Sequence, residues 1–134
     1  MVKGIWNYAI KAHDVEAVAN FYCAHFDAKV LRRREMSGTK DILVKMGVTR
    51  VLIFEKAPYE DELGLNLPEG FLHDVYEVDD FDIYYARLQA AGVKLLTEPK
   101  VIETDFDRRK LVFIETPTGI RTEVMQVLEH KKDA

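Results

Sequence analysis

The chain repeats itself, and the repeat constrains its fold more than any single motif. Asn7 precedes Asp14 by the interval that separates His73 from Asp80. Each pair begins on a strand-like run, and each Asp is placed to cap an amphipathic helix. Further on, Arg50-Val51-Leu52-Ile53-Phe54 matches Arg121-Thr122-Glu123-Val124-Met125 in position and alternation. Each half therefore reads as strand, helix, then three strands, a topology-level signal. The expected fold class is α+β: two βαβββ modules, about 4–57 and 70–128, in a single domain. They are expected to form a curved mixed sheet with an internal cup and helices on the outer face.

Hydrophobic period and turn residues place the elements. Ile5–Ala12 reads as a strand with Tyr8, Ile10 and Ala12 on one face. Val15, Val18, Ala19, Tyr22 and Phe26 recur at helical spacing and predict a helix over 14–26. Strand-like runs follow at Lys29–Arg34, Asp41–Met46 and Arg50–Phe54, separated by Ser37-Gly38 and Gly47. In the second half, a strand over Leu72–Val78 leads to a helix over Phe81–Ala91 that Gly92 ends. Strands are expected around 94–96, 101–104, 110–114 and 121–127, with Pro117-Thr118-Gly119 as the last turn. The polar tail 129–134 is expected to fray.

Composition narrows the function classes. A net charge of -4 argues against phosphate-backbone binding, so no nucleic-acid partner is expected. Arg32-Arg33-Arg34 alternates faces on a strand and cannot form one continuous patch. The stretch Glu60–Asp80 contains no Lys or Arg and reads as an exposed connection. No apolar run reaches bilayer-spanning length, so no membrane role is expected. The absence of a signal-like N-terminus and the lone Cys23 point to a cytoplasmic protein.

Strand alternation then selects the side chains that face the cup. Asn7, Ala9 and Lys11 lie opposite the helix-packing face of the first strand. The same rule sends Leu52, Phe54, His73, Val75, Glu77, Glu123 and Met125 inward. The repeat pairs Asn7 with His73 and Leu52 with Glu123, so these four are expected to converge. Glu77 reads either as a second carboxylate near the site or, preferably, as a rim residue paired with Lys11. Phe54, Met125 and Val127 make the cup partly apolar. Arg50, Lys11 and Arg32 hint at an anionic ligand. His13 reads as a turn residue, His25 as a helix-end residue that suits the dipole, and His130 as part of the tail. Asp74 falls on the helix-packing face without an evident reason.

The stretches Asn7–Asp14, Phe21-Tyr22, Leu72–Asp80, Ala90–Val93 and Thr116–Val124 resemble the vicinal oxygen chelate superfamily. It includes glyoxalases, bleomycin and fosfomycin resistance proteins and extradiol dioxygenases. The resemblance implies a divalent metal (Zn, Ni, Mn or Fe) held by the first and last strands of each half. Carried onto this chain, those positions are Asn7, Leu52, His73 and Glu123. His73 and Glu123 suit a metal, Asn7 is a weak donor, and Leu52 offers none. A metal and a metal-free cup therefore both stand. With a metal, the resemblance implies a lyase or isomerase acting on a small oxygen-chelating substrate. Glu123 or Glu77 would then move the proton, and Lys11, Arg50, Leu52, Phe54 and Met125 would line the ligand. Ring-cleaving oxygenation fits less well, because Asn7 breaks the iron triad. Without a metal, a drug- or metabolite-sequestering protein is implied; a third reading is a decayed site kept for its interactions. The family resemblance also implies a homodimer.

Overall fold

In the computed structural model, which describes residues 1–134, nine strands and three helices follow one another in a repeated order. They are β1 (Val2–Lys11), α1 (Val15–His25), β2 (Lys29–Met36), β3 (Thr39–Met46), β4 (Thr49–Phe54) and α2 (Glu60–Leu63). Then come β5 (Gly70–Val78), α3 (Phe81–Ala90), β6 (Lys94–Leu95), β7 (Lys100–Glu103), β8 (Asp107–Glu115) and β9 (Arg121–His130). The class is α+β, as the repeat predicts. The chain divides into two compact units: a first unit, Asn7–Leu72, and a second, Met1–Trp6 with His73–Ala134.

In the first unit β1 runs parallel to β4, with Tyr8 opposite Val51 and Lys11 opposite Phe54. Strands β2, β3 and β4 form antiparallel hairpins, with Ile42 opposite Ile53. Gly47, at φ 58, supplies the left-handed residue that the β3–β4 turn needs. Asp14 caps α1 by accepting from the Ala17 amide at 3.0 Å, in the role its sequence position predicts. The apolar stripe of α1 buries Val15 and Ala19 against Ala12, Ile42, Val44, Val51 and Ile53. Helix packing thus takes one face of each strand, and the other carries Asn7 and Lys11 beside the apolar Ala9, Leu43, Leu52 and Phe54.

The second unit repeats the plan. Strand β5 runs parallel to β9, with His73 opposite Arg121 and Val75 opposite Glu123. Strand β9 pairs antiparallel with β8, and β8 also carries β6 and β7. Asp80 caps α3 through the Ile83 amide, and Gly92, at φ 70, follows its end. Phe81 of α3 packs with Val78, Val112, Ile114 and Val124. The opening residues join this unit: Lys3 lies 3.7 Å from Glu77, and the Asp79 amide donates to the Met1 carbonyl at 3.1 Å.

Two expectations need correcting. Glu60 does not belong to an exposed connection: it opens the short α2 and is 1% exposed. Backbone donors and a lysine satisfy its carboxylate there, a compensation that charge counting along the sequence does not reveal. The tail is also shorter than expected, because β9 continues to His130 against Asp107. Asp74 now has its explanation: the Thr122 hydroxyl donates to its carboxylate at 2.6 Å across the β5–β9 pair.

Candidate functional site

The second unit places His73 and Glu123 on adjacent strands, two residues apart in register. Val124 enters the α3 core, so Glu123 and its same-face partner Phe113 point away from that helix. His73 is 2% exposed, and the Phe113 ring meets its imidazole edge-on at 5.0 Å. Burial, reinforced by the Arg121 guanidinium, pushes the His73 pKa from 6.5 down to about 3. The imidazole is therefore neutral at physiological pH. Glu123 moves the other way. Burial raises its carboxyl from 4.5 to about 7, with Arg109 opposing the shift and Asp107 adding to it. The Glu123 carboxyl makes no hydrogen bond or ion pair within the protein, although it is 7% exposed.

Asp107 and Arg109 are the polar residues of this face that sequence reading missed. The Arg109 guanidinium donates from Nε and Nη2 to the two Asp107 oxygens, each at 2.7 Å, and both residues are buried. It also lies 4.5 Å over the Trp6 ring. One signal for the pair was present, since opposite charges at i and i+2 on a strand share a face. Met125 and Val75 are buried on the same face and give it an apolar background. Glu77 keeps a half-buried position, but its cationic neighbour is Lys3 rather than Lys11.

In the first unit Lys11 is committed elsewhere. Its ammonium donates to Glu60 at 2.6 Å and to the Leu67 carbonyl at 2.7 Å. Asp41 accepts from Arg32 at 3.1 Å and from Arg34 at 2.9 Å, while Arg33 on the opposite face bonds Glu16 at 2.8 Å. Asn7 is buried and turns its amide nitrogen to the Tyr8 carbonyl at 3.0 Å. Leu52 lies opposite Ala9 and Leu43, and Phe54 is buried opposite Asp41 and Lys11. Arg50 is half-buried opposite Lys45. The other histidines are peripheral: the His13 amide binds Glu69, His25 packs on Phe21 at 5.0 Å, and His130 meets Asp133 at 3.1 Å.

A divalent metal needs at least three protein donors in a catalytic zinc site, or two His and a carboxylate in an iron triad. No group of three or more His, Cys, Asp or Glu side chains is arranged to hold an ion. His73 and Glu123 supply two donors, Asn7 at most a weak amide oxygen, and Leu52 none. The donor set does not fit such a centre, and no step through a metal is derived.

Comparison with known proteins gives the wider setting. The model of the Glyoxalase/Bleomycin resistance protein/Dioxygenase superfamily matches residues 5–124. A methylmalonyl-CoA epimerase solved with methylmalonyl-CoA and NH4+ is 21% identical, covering 99% of this chain and 100% of its own, at TM-score 0.74. Methylmalonyl-CoA epimerase from Mycobacterium tuberculosis is 17% identical, with coverage of 94% and 89% and TM-score 0.71. A 4-hydroxymandelate synthase mutant from Streptomyces coelicolor is 15% identical at TM-score 0.74, covering 97% of this chain and 49% of its own. At these identities the likeness is one of fold. No curated protein matches the sequence.

Proposed function

Because the chain belongs to the Glyoxalase/Bleomycin resistance protein/Dioxygenase superfamily, we propose that it binds a small oxygen-bearing organic molecule at Glu123 and moves a proton on it, as a lyase or isomerase. One observation carries this reading: the Glu123 carboxyl is buried, faces away from α3 and has no protein partner. A buried carboxyl without a partner is costly and persists where a ligand completes it. Glu123 is the proton-transfer group in this reading, and neutral His73 is a hydrogen-bonding neighbour that orients a carbonyl or hydroxyl oxygen. Glu77 is the weaker candidate, because Lys3 stands beside its carboxylate. Met125 is the proposed lining in the second unit, and Asn7, Lys11, Arg50, Leu52 and Phe54 are the proposed ligand-facing residues of the first.

The short donor set favours one competing reading, a metal-free protein that sequesters its ligand. Solvent-deuterium incorporation into a panel of α-hydroxy ketones and 2-oxo acids, followed by NMR, separates the two. Incorporation by the wild type that is lost in a folded Glu123→Gln variant supports proton transfer. Binding without incorporation supports sequestration, and neither binding nor incorporation overturns both. Metal analysis after incubation with Zn, Ni, Mn and Fe(II), beside His73→Ala, tests whether an ion nevertheless occupies these donors. A cytoplasmic homodimer completes the proposal, and sedimentation equilibrium checks the assembly.

A further inference from the structure

Asp107 and Arg109 stand two residues apart on β8, so strand alternation sends both to one face. Glu123 shares that face: Arg109 lies opposite Val127, Leu111 opposite Met125 and Phe113 opposite Glu123. The intervening Val112 packs into the α3 core instead. The face therefore has a guanidinium at the Val127 level and a carboxyl four residues back along β9. Between them lie the buried, apolar Leu111 and Met125. At about 3.3 Å per residue the two levels are roughly 13 Å apart, and both side chains are long enough to shorten the gap. The Arg109 charge is felt across it, holding the Glu123 carboxyl lower than burial alone would.

Two contacts fix the guanidinium. Nε and Nη2 donate to the two Asp107 oxygens at 2.7 Å each, and the Trp6 ring lies 4.5 Å from its centre. The Asp107 bonds use the side-on fork. A guanidinium has a second, end-on fork between Nη1 and Nη2. In Arg109 that fork has no acceptor within the protein, and Nη1 is not sealed in the core. Donors on a buried residue that nothing completes are costly, and an ion pair kept for stability alone needs only the side-on fork. We propose that the end-on fork of Arg109 docks a carboxylate of the ligand whose reacting end lies at Glu123. The inference rests on the reading of Glu123 as the proton-transfer group. Two coplanar oxygens match a planar fork. Asp107 already balances much of the positive charge, so a single negative charge suits the site better than a phosphate dianion. The ligand is thus a small oxo or hydroxy acid: its carbonyl or hydroxyl end lies at Glu123, and its apolar carbons lie over Leu111 and Met125.

The test uses the full chain and does not depend on turnover. Calorimetric titration compares 2-oxobutanoate and 4-oxopentanoate, each beside its neutral methyl ester at matched ionic strength. At least one acid binds about tenfold or more tightly than its ester. It also changes the emission of Trp6, the chain's one tryptophan, which places the bound acid at this guanidinium. Arg109→Lys keeps a cation beside Asp107 and removes the fork, so acid affinity falls to that of the ester while the ester is unaffected. Equal affinity of acid and ester, binding of neither, an unchanged Trp6 emission, or acid affinity retained in a folded Arg109→Lys overturns the proposal. Deuterium incorporation judges Glu123 separately. Acid-selective binding without incorporation supports the Arg109 site and removes proton transfer. Incorporation into acid and ester alike, with equal affinity, overturns the Arg109 site and keeps proton transfer.

Discussion

Replacing Glu60 with Gln should cost this protein a large share of its stability. The Glu60 carboxylate accepts from Lys11 Nζ at 2.6 Å, from the Ala57 amide at 2.6 Å and from the Leu67 amide at 2.7 Å. Lys11 Nζ also donates to the Leu67 carbonyl at 2.7 Å. One ion pair therefore ties the segment 57–67 to β1. The side chains are 14% and 1% exposed, so solvent screens the pair little and replaces it poorly. Glutamine keeps the shape but leaves the ammonium without its counter-charge, and breaking a buried pair costs about 3–5 kcal/mol. The small exposure of Lys11 argues for the lower end, ~3 kcal/mol. With an unfolding entropy of ~2.1 cal/mol/K per residue, 134 residues give a Tm fall of about 10 °C.

Acid supplies a second handle on the same pair. Burial alone raises the Glu60 pKa, but Lys11 and the Leu67 and Ala57 amides outweigh it and hold the carboxyl below 4.5. The stabilisation is therefore present above pH 4.5 and is lost as pH falls through the lower folded value. Urea unfolding of wild type, Glu60→Gln, Lys11→Met and the double variant gives the coupling directly. The gap between wild type and Glu60→Gln should narrow under acid. A Glu60→Gln variant within about 0.5 kcal/mol of wild type, the range of ordinary surface changes, would refute the reasoning.

Three further outcomes follow from the packing and the charges. His73, folded at about 3 against 6.5, loses stability as pH falls below 6.5, whereas Glu123, folded at about 7 against 4.5, loses it as pH rises above 4.5. Between pH 4.5 and 6.5 the two slopes, each up to about 1.4 kcal/mol per pH unit, oppose one another. Urea midpoints of His73→Phe should therefore fall with rising pH relative to wild type, those of Glu123→Gln should rise, and parallel curves would contradict both shifts. Asp107→Asn strands the buried Arg109, which should cost about 3–5 kcal/mol. It should also change the emission of Trp6, the chain's one tryptophan, which lies beneath that guanidinium. Asp80→Ala removes the cap on the Ile83 amide and should cost about 1 kcal/mol by thermal unfolding.

What could be read from the sequence was whatever local chemistry repeats. Asp14 and Asp80 announced both long helices, and alternation sent Val124 to the core and Glu123 to the other face. The pairing of charges was not legible, because it depends on which strands become neighbours. The rim reading pairs Lys11 with Glu77, yet its partner Glu60 comes from the segment 57–67. Glu77 meets Lys3 because the opening residues join the second unit. Asp74 looked misplaced on an apolar face until Thr122, opposite it in register, supplied a donor. Asp107 and Arg109 were overlooked for a related reason: a charged pair at the start of a strand usually stays in water, and here both are buried.

The same accounting separates the halves of the repeat. In the first unit each buried acid is answered locally, Asp41 by two arginines and Glu60 by a lysine and two amides. Its counterpart to Glu123 is the apolar Leu52. In the second unit Asp107 and Arg109 answer one another with both carboxylate oxygens, which leaves Arg109 little to offer Glu123 beyond its field. An ion-pair partner would have fixed Glu123 as a permanent carboxylate and tied it to the scaffold. Without one, its proton affinity sits near neutrality and its oxygens remain available to a ligand. The repeat gives the halves the same strands, caps and turns. It does not require them to share chemistry, and the single buried acid without an answer is where the two halves differ most.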